Sequence, residues 1–439
     1  MNYQLGHGNA AGYHLVNLSL HLAAVWLLYG ILNSMIRQRA ALIAASLFAI
    51  HPLQAEAVNY VFERATLLAT VACLLSLRAW LAGRLWPALA WFAAALLAKE
   101  ECVAFPVFLL LLHVSQKRPR GERWTIAAMF ILSAAAGARV LMAISTTPGA
   151  WAGAQAGISR EAYLLTQGAV ILRYFRLLAL PWGFTVDPGI QPVTDWTAWL
   201  AWAALALAAG LATLQFKNLR AGFWFLGGMA LLLPSSSIFP AADLAADRRM
   251  YLPLIAFSAC LGLLLERVDL RALAVAGIVL VALSIQRTII WRTERSLWAD
   301  AVDRAPGKLR PRIQLARALP PSEALPVLED AKRLAPDDPQ VATEEGRVYL
   351  ELGQPAQALT SFGRALALRP RDAHALNNRG TALLALGQQE AAVEDFRRAL
   401  SVDPCQVDAR LNLARLGISS ELPGGCRFTP DQRRQLQVQ

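Results

Sequence analysis

The sequence predicts an all-α protein, a polytopic helical membrane domain over residues 1–286 followed by an α-solenoid over 305–417. Two observations carry that division. Apolar runs of the length a bilayer demands recur from residue 13 to residue 286. After residue 286 the composition changes, and turn and apolar residues begin to recur every 34 positions. The bulk composition agrees, with 56% hydrophobic and 17% charged residues, against about 25% charged in a typical soluble chain. A net charge of +11 does not by itself indicate nucleic acid, because Lys and Arg collect in cytoplasmic loops of membrane proteins. No basic–aromatic constellation of an RNA or DNA module is present, so nucleic acid is not an expected partner. Five cysteines are too few for a disulfide scaffold, and no CxxC or His/Cys cluster suggests a metal. No basic region precedes the first apolar run, so the start does not read as a signal peptide.

About ten spans are expected, near 13–33, 40–56, 66–82, 85–99, 101–115, 124–143, 196–214, 221–239, 250–266 and 271–286. The fourth and fifth are short and meet at Lys99-Glu100-Glu101, which reads either as two spans or as one re-entrant hairpin. Arg160, Arg173 and Arg176 make residues 159–181 amphipathic, and that segment is expected to lie along the interface. With it not crossing, the loops at Arg37/Arg39, Arg78/Arg84, Lys117–Arg123, Lys217/Arg220 and Arg267/Arg271 share one side. Those loops hold 12 Lys or Arg, which places them in the cytoplasm. The N-terminus, residues 51–65, Asp243–Arg249 and everything after 286 then lie outside. Arg287, Arg292 and Arg295 run against this orientation. The solenoid is then expected to lie outside the cytoplasm.

Residues 287–304 read as a connector. Beyond them Pro336, Pro370 and Pro404 are spaced at 34 residues, as are Gly346 and Gly380, Gly353 and Gly387, Ala358 and Ala392, Phe362 and Phe396, and Ala365 and Ala399. This is the tetratricopeptide (TPR) signature, in which small residues let paired helices approach and Pro ends the second helix. Full repeats are expected at 339–372 and 373–406, a degenerate one at 305–338 and a capping helix at 407–417, followed by a tail at 418–439. Cys405 follows the Pro that closes the last repeat, and Cys426 lies past the cap in Pro423-Gly-Gly-Cys. One short helix and a glycine turn let their sulfurs meet, and a bridge would persist only outside a reducing cytoplasm. The other reading is two unpaired tail cysteines.

Ionisable groups at a membrane boundary are costly unless they meet water, a partner or a substrate. Three outward clusters qualify: His51, Glu56, Glu63 and Arg64; Lys99, Glu100 and Glu101; and Asp243, Asp247, Arg248, Arg249 and Tyr251. Carboxylates there suit acid–base work, and paired arginines suit a phosphate. Helix-end pairs that merely satisfy one another are the plainer reading of each cluster taken alone.

Asn2-Tyr3, Gly12-Tyr-His-Leu-Val-Asn-Leu-Ser-Leu-His21, His51-Pro52 with Glu56 and Glu63-Arg64, and Lys99-Glu100 resemble the transmembrane-and-TPR O-mannosyltransferases. So do Tyr174 to Asp187, with Leu180-Pro-Trp-Gly-Phe-Thr-Val-Asp187, Ser235–Pro240, Asp247-Arg-Arg-Met-Tyr-Leu-Pro253 and Trp291-Arg-Thr-Glu-Arg-Ser-Leu-Trp298 leading into the repeats. The resemblance covers nearly the whole chain in order, and the Ala- and Arg-rich composition looks like a bacterial member. It implies a GT-C glycosyltransferase fold that moves a sugar from a polyprenyl-phosphate donor to a protein Ser or Thr outside the cytoplasm. In that picture Arg248 and Arg249, with Lys99, hold the lipid phosphate. Glu56 and His51 lie near acceptor or sugar, Arg64, Glu100, Asp247 and Tyr251 complete the substrate site, and the TPR groove presents the acceptor protein. A divalent ion is neither implied nor excluded.

One departure stands out. Such enzymes carry an acidic pair on the first outer loop after a first span, whereas this chain begins inside that loop with no acidic residue before Glu56. The expectation is a chain lacking that span, or a non-catalytic relative in which the membrane unit anchors a TPR scaffold. In the first case Glu56 stands in as the base. A scaffold needs only one anchor, so ten spans with polar outer ends favour the enzyme.

Overall fold

In a computed structural model the described residues are 10–117, 122–146, 158–236, 241, 243–420, 425–426, 428–429, 432 and 434–435. Asn2-Tyr3, Arg118, Arg120, residues 237–240 and Pro423 lie outside them. All the described elements are helical. The chain divides into two compact units, Met1–Arg292 and Thr293–Gln439.

The first unit holds helices α1 (Ala10–Met35), α2 (Gln38–Ile50), α3 (Ala55–Asn59), α4 (Arg64–Leu81), α5 (Leu85–Ala98) and α6 (Phe105–Gln116). It continues with α7 (Arg123–Thr146), α8 (Arg160–Ala179), α9 (Trp196–Thr213), α10 (Ala221–Leu232), α11 (Pro253–Leu265) and α12 (Leu270–Ile290). Each of the ten apolar runs therefore contains a helix, but their lengths differ. Five segments are long and apolar enough to cross a membrane: Ala11–Met35, Val61–Leu81, Arg123–Ala143, Trp196–Thr213 and Leu270–Ile290. Gln38–Ile50 and Pro52–Asn59 pass together across a 48° bend. The α12 window is only 6% buried and that of α7 only 11%, leaving Val275, Ile278 and Ile285 on the surface. Apolar faces that bare suit lipid, not water. The chain is a multi-pass membrane protein.

Helices α5, α6, α10 and α11 have only 14, 12, 12 and 13 residues. At about 1.5 Å per residue none matches a hydrocarbon core of about 30 Å. Helices α6, α10 and α11 form the interior instead, where Phe108, Phe223, Trp224 and Phe257 are buried together with Phe92 of α5, while α5 leaves Trp86 and Leu97 on the surface. Short 3₁₀ turns at Glu100–Ala104 and Asp247–Met250 extend two of them. Glycine permits close approach, since a Cβ on Gly262 of α11 would stand 2.4 Å from the Ala40 carbonyl oxygen of α2.

The expected span at 40–56 is broken, and the cause is local. Proline disfavours helical backbone in the residue before it. His51, ahead of Pro52, is accordingly extended at φ −73°, ψ 133°, and ends α2. Helix α8 is not among the membrane-length apolar helices. Its buried face carries Tyr163, Gln167 and Tyr174, and turns polar groups toward residues 244–247.

The second unit begins earlier than expected. Helix α12 runs to Ile290, and Thr293 with Ser296 forms a capping box that starts α13 (Glu294–Arg304), so residues 287–304 are largely helical. Paired helices follow: α14 (Leu309–Ala318) with α15 (Pro321–Leu334), α16 (Pro339–Glu351) with α17 (Pro355–Leu368), and α18 (Ala373–Ala385) with α19 (Gln389–Val402), closed by α20 (Val407–Arg415). Asp338 and Asp372 each accept two backbone N–H groups at the start of the repeats' first helices. Gly353 and Gly387 end those helices at φ 71° and 75°.

The Gly–Phe periodicity has a packing reason. A Cβ on Gly346 would stand 2.6 Å from the Phe362 ring, and one on Gly380 2.6 Å from the Phe396 ring. Phe362 and Phe396 are fully buried. Phe396→Ala is expected to cost about 3–5 kcal/mol through the cavity it leaves. Faster amide hydrogen exchange across residues 373–402 of the full chain would report it, and unchanged exchange would remove the pair from the solenoid's core.

Cys405 and Cys426 form a disulfide with Cα atoms 5.4 Å apart, inside the reach of about 7 Å that a bridge allows. It ties the turn after α19 to the segment past α20, where a solenoid end has a neighbour on one side only. Cys405→Ser should cost the second unit about 3 kcal/mol in the chain-entropy account. Equal melting of variant and parent without reductant would show that the bridge does not form in the protein.

Candidate functional site

The two ends of the membrane unit differ in chemistry. At one end Arg37 pairs with Glu266 at 2.9 Å, and Met35, Lys117 and Lys217 line a common cavity. Ser34 and Arg78 line another cavity beside them. The basic loops expected to share a side therefore gather at one end.

The other end carries an ion-pair network centred on Arg248. Its guanidinium reaches Glu56 Oε1 at 2.7 Å through Nη1, Glu63 Oε1 at 3.0 Å through Nε and Asp243 Oδ2 at 3.2 Å through Nη2. The Arg248 backbone N–H also donates to Glu56 Oε2 at 3.2 Å, so both oxygens of that buried carboxylate are held. Lys99 Nζ lies 2.8 Å from Glu63 Oε2 and 3.4 Å from Glu101 Oε2, and donates to Thr66 Oγ1 at 2.6 Å. Four carboxylates thus surround two cations. Burial works against the charge on Arg248, yet Glu56, Glu63 and Asp243 hold its pKa above the ordinary arginine value.

Each side chain arrives from a different element. The break at Pro52 turns α3 across the end of the unit, which places Glu56. Glu63 and Thr66 stand at the start of α4, Lys99 caps α5, and the 3₁₀ turn Asp247–Met250 before α11 delivers Arg248. Asp247 pairs with Arg173 of α8 at 2.6 Å.

Several expected site residues are placed elsewhere. Arg249 donates to the backbone carbonyls of Asp243 at 2.7 Å and Leu244 at 3.3 Å. With Arg248 on carboxylates and Arg249 on carbonyls, the two arginines do not form the paired anion clamp that adjacency suggested. His51 lies outside the ion pairs of Arg248. Its Nδ1 accepts from the Leu53 N–H at 3.2 Å and its Nε2 reaches the Leu178 carbonyl at 3.2 Å. Both ring nitrogens serve the backbone, and through Leu53 His51 caps the broken helix. Tyr251 meets His21 Nδ1 through its hydroxyl at 2.8 Å and stacks edge-on against Phe48. Arg64 turns to α1, donating to Asn17 Oδ1 at 3.0 Å and the Tyr13 carbonyl at 3.2 Å. Glu100 is exposed, and its neighbour Glu101 occupies the place on Lys99. Arg173 was not a candidate in the sequence, because its partner lies 74 residues on.

Beside α3 a groove of about 550 Å³ runs between α1, the broken helix and α12, with His14, His21, His51, Gln54, Asn59 and Thr288 among its lining residues. Among the described residues no group of three His, Cys, Asp or Glu is arranged to hold a metal ion.

A family profile described as Tetratricopeptide repeat matches residues 343–417. Protein O-mannosyl-transferase Tmtc3 of Drosophila melanogaster is 25% identical over 458 residues, covering 81% of this chain and 50% of that protein. Tmtc2 of the same organism is 28% identical over 255 residues, covering 51% of this chain and 27% of its own length. Tmtc1 reaches 38% identity over 111 residues, or 24% of this chain and 13% of its length. The chain thus spans at most half the length of these relatives. Ordered resemblance through the membrane unit, joined to a TPR array, makes the chain a relative of the transmembrane-and-TPR O-mannosyltransferases.

Proposed function

We propose that the chain is a membrane glycosyltransferase that moves a sugar from a polyprenyl-phosphate donor to a protein Ser or Thr, with the TPR unit holding the acceptor protein. The observation that carries this reading is the network around Arg248. A scaffold gains nothing from four carboxylates and two cations gathered at the end of a membrane unit, where ordering and desolvating them is costly. The names of the relatives support the same reaction class.

The chemistry follows from the partners. The donor phosphate takes the guanidinium of Arg248, displacing Glu56, and Lys99 adds a second positive charge within the same network. The freed Glu56 carboxylate accepts the proton of the acceptor hydroxyl as its oxygen bonds to the sugar's anomeric carbon. The bond from that carbon to the phosphate oxygen breaks, and the lipid phosphate leaves with the electron pair. The groove beside α3 admits the donor from the membrane. This end faces the exterior or periplasm of a bacterial inner membrane, since the basic loops gather at the other.

Purified chain reconstituted with polyprenyl-phosphate-linked mannose and a Ser/Thr-rich acceptor should yield O-mannosylated product detectable by mass spectrometry. Loss of product in Arg248→Lys, which keeps a cation for Glu56 without the planar fork that pairs with phosphate oxygens, would support the assignment. Wild-type chain that binds acceptor protein yet transfers no sugar would sink it in favour of a membrane-anchored TPR scaffold.

A further inference from the structure

The basic end of the membrane unit holds two grooves that the proposed transfer does not use. One, of about 500 Å³, runs along α1 and α4 and is lined by Trp26, Leu27, Gly30, Ile31 and Leu81. The other, of about 350 Å³, runs along α4 and α5 and is lined by Leu75, Ala79, Pro87 and Trp91. Arg78 lines both, and Arg84 lines the second. No Asp or Glu lines either groove.

The turn between α4 and α5 brings the two arginines together. Gly83 at φ 70° reverses the chain, its N–H bonding to the Trp80 carbonyl at 3.0 Å and that of Arg84 to the Ala79 carbonyl at 2.9 Å. Arg78 lies over the Trp26 ring at 5.9 Å and has no carboxylate partner among the described residues. Arg37, at the same end, is taken by Glu266.

We propose that this end binds one anionic diacyl phospholipid, its phosphate on Arg78 and Arg84 and its two chains in the grooves on either side of Arg78. Charge complementarity selects the headgroup, because a guanidinium matches phosphate oxygens in pairs and no acid competes here. The grooves select the chains. Two mostly apolar channels meeting at one guanidinium suit one phosphate carrying two acyl tails, whereas free phosphate would use neither channel and a single-chain lipid would leave one empty. The site lies at the opposite end of the unit from Glu56 and Arg248 and is independent of the sugar chemistry proposed there.

The test is native mass spectrometry of the full chain in detergent, titrated with equal phosphatidylglycerol and phosphatidylcholine. One retained phosphatidylglycerol is expected, preferred roughly 30-fold if each cation acts as a typical juxtamembrane one. Arg78→Gln with Arg84→Gln should bring the two lipids level. Gly30→Leu keeps both cations, and its added Cβ meets nothing within 4 Å. It should fill the first groove and weaken retention of phosphatidylglycerol while sparing its single-chain lyso form. Lys117→Gln with Lys217→Gln, at the same end but outside both grooves, should leave the preference intact. Three results would overturn the proposal: undiminished preference in the arginine variant, full diacyl retention in Gly30→Leu, or equal loss in the lysine variant. Complete displacement of the lipid by inorganic phosphate would likewise reduce the site to a free-anion site. Should the arginine variant fail to fold, Gly30→Leu and the lysine variant still decide the question.

Discussion

Arg248→Met is expected to be among the most destabilising single substitutions in the membrane unit. The guanidinium touches three carboxylates, and for Glu56 it is the partner of one oxygen while its own backbone N–H serves the other. Removing one partner of a buried ion pair strands the remaining charge, at a cost of about 3–5 kcal/mol. The loss should fall largely on Glu56, since Glu63 keeps Lys99 and Thr66. Adding Glu56→Gln to Arg248→Met should therefore recover much of the lost stability, with a coupling of about 0.5–3 kcal/mol in a double-mutant cycle. Lys99→Met should cost less, because Glu63 still meets Arg248. Melting of the detergent-solubilised parent, the two single variants of the cycle, their double variant and Lys99→Met measures these effects. An Arg248→Met variant that melts with the parent would mean that water already screens these charges, and the network would lose its role as a buried device.

How much of this was legible in the sequence varied with the range of the interactions. The solenoid was plain because its contacts repeat. Gly346 meets Phe362 and Gly380 meets Phe396 within one helical hairpin, so the packing rule is printed twice at a fixed interval. The disulfide was legible for a similar reason, since its cysteines are only 21 residues apart with one short helix, α20, between them. In the membrane unit, hydropathy located the helices but not how deep each reaches. An apolar run does not distinguish a helix of 12 residues inside the unit, such as α10, from one that crosses lipid.

The candidate site was legible as a set of residues and not as a set of partnerships. Glu56, Glu63, Lys99 and Arg248 were marked by charge at apolar boundaries, and the fold does bring them together. Adjacency misled in two places. Arg248 and Arg249 are neighbours in a 3₁₀ turn, which sends their side chains to different partners. Glu100 and Glu101 differ by one position, and only the second reaches Lys99. His51 was marked as chemistry because its neighbours are charged. Pro52 explains it better, since the broken helix leaves a backbone N–H at Leu53 that the imidazole accepts. Arg173 carried no local signal, because a pairing across 74 residues is a property of the fold.

Glu56→Gln should leave the chain folded and lower sugar transfer by about 10²–10⁴, the range of a lost general base. The amide matches the carboxylate in shape, and its oxygen can still accept from Arg248 while no charge is left stranded. What it cannot do is take a proton from an acceptor hydroxyl. Turnover should therefore fall with little change in the apparent affinity for the lipid-linked donor, whose phosphate is assigned to Arg248. Glu63→Gln is the comparison that identifies the base. Glu63 lies between Arg248 and Lys99, where it restrains the two cations that would meet the phosphate. Its loss should alter donor affinity more than turnover. Assays of transfer at varied donor concentration separate these effects. If Glu63→Gln loses turnover and Glu56→Gln loses only donor affinity, the roles are exchanged. If neither variant loses turnover, neither carboxylate of the Arg248 network is the base, and the proton acceptor must be sought outside it.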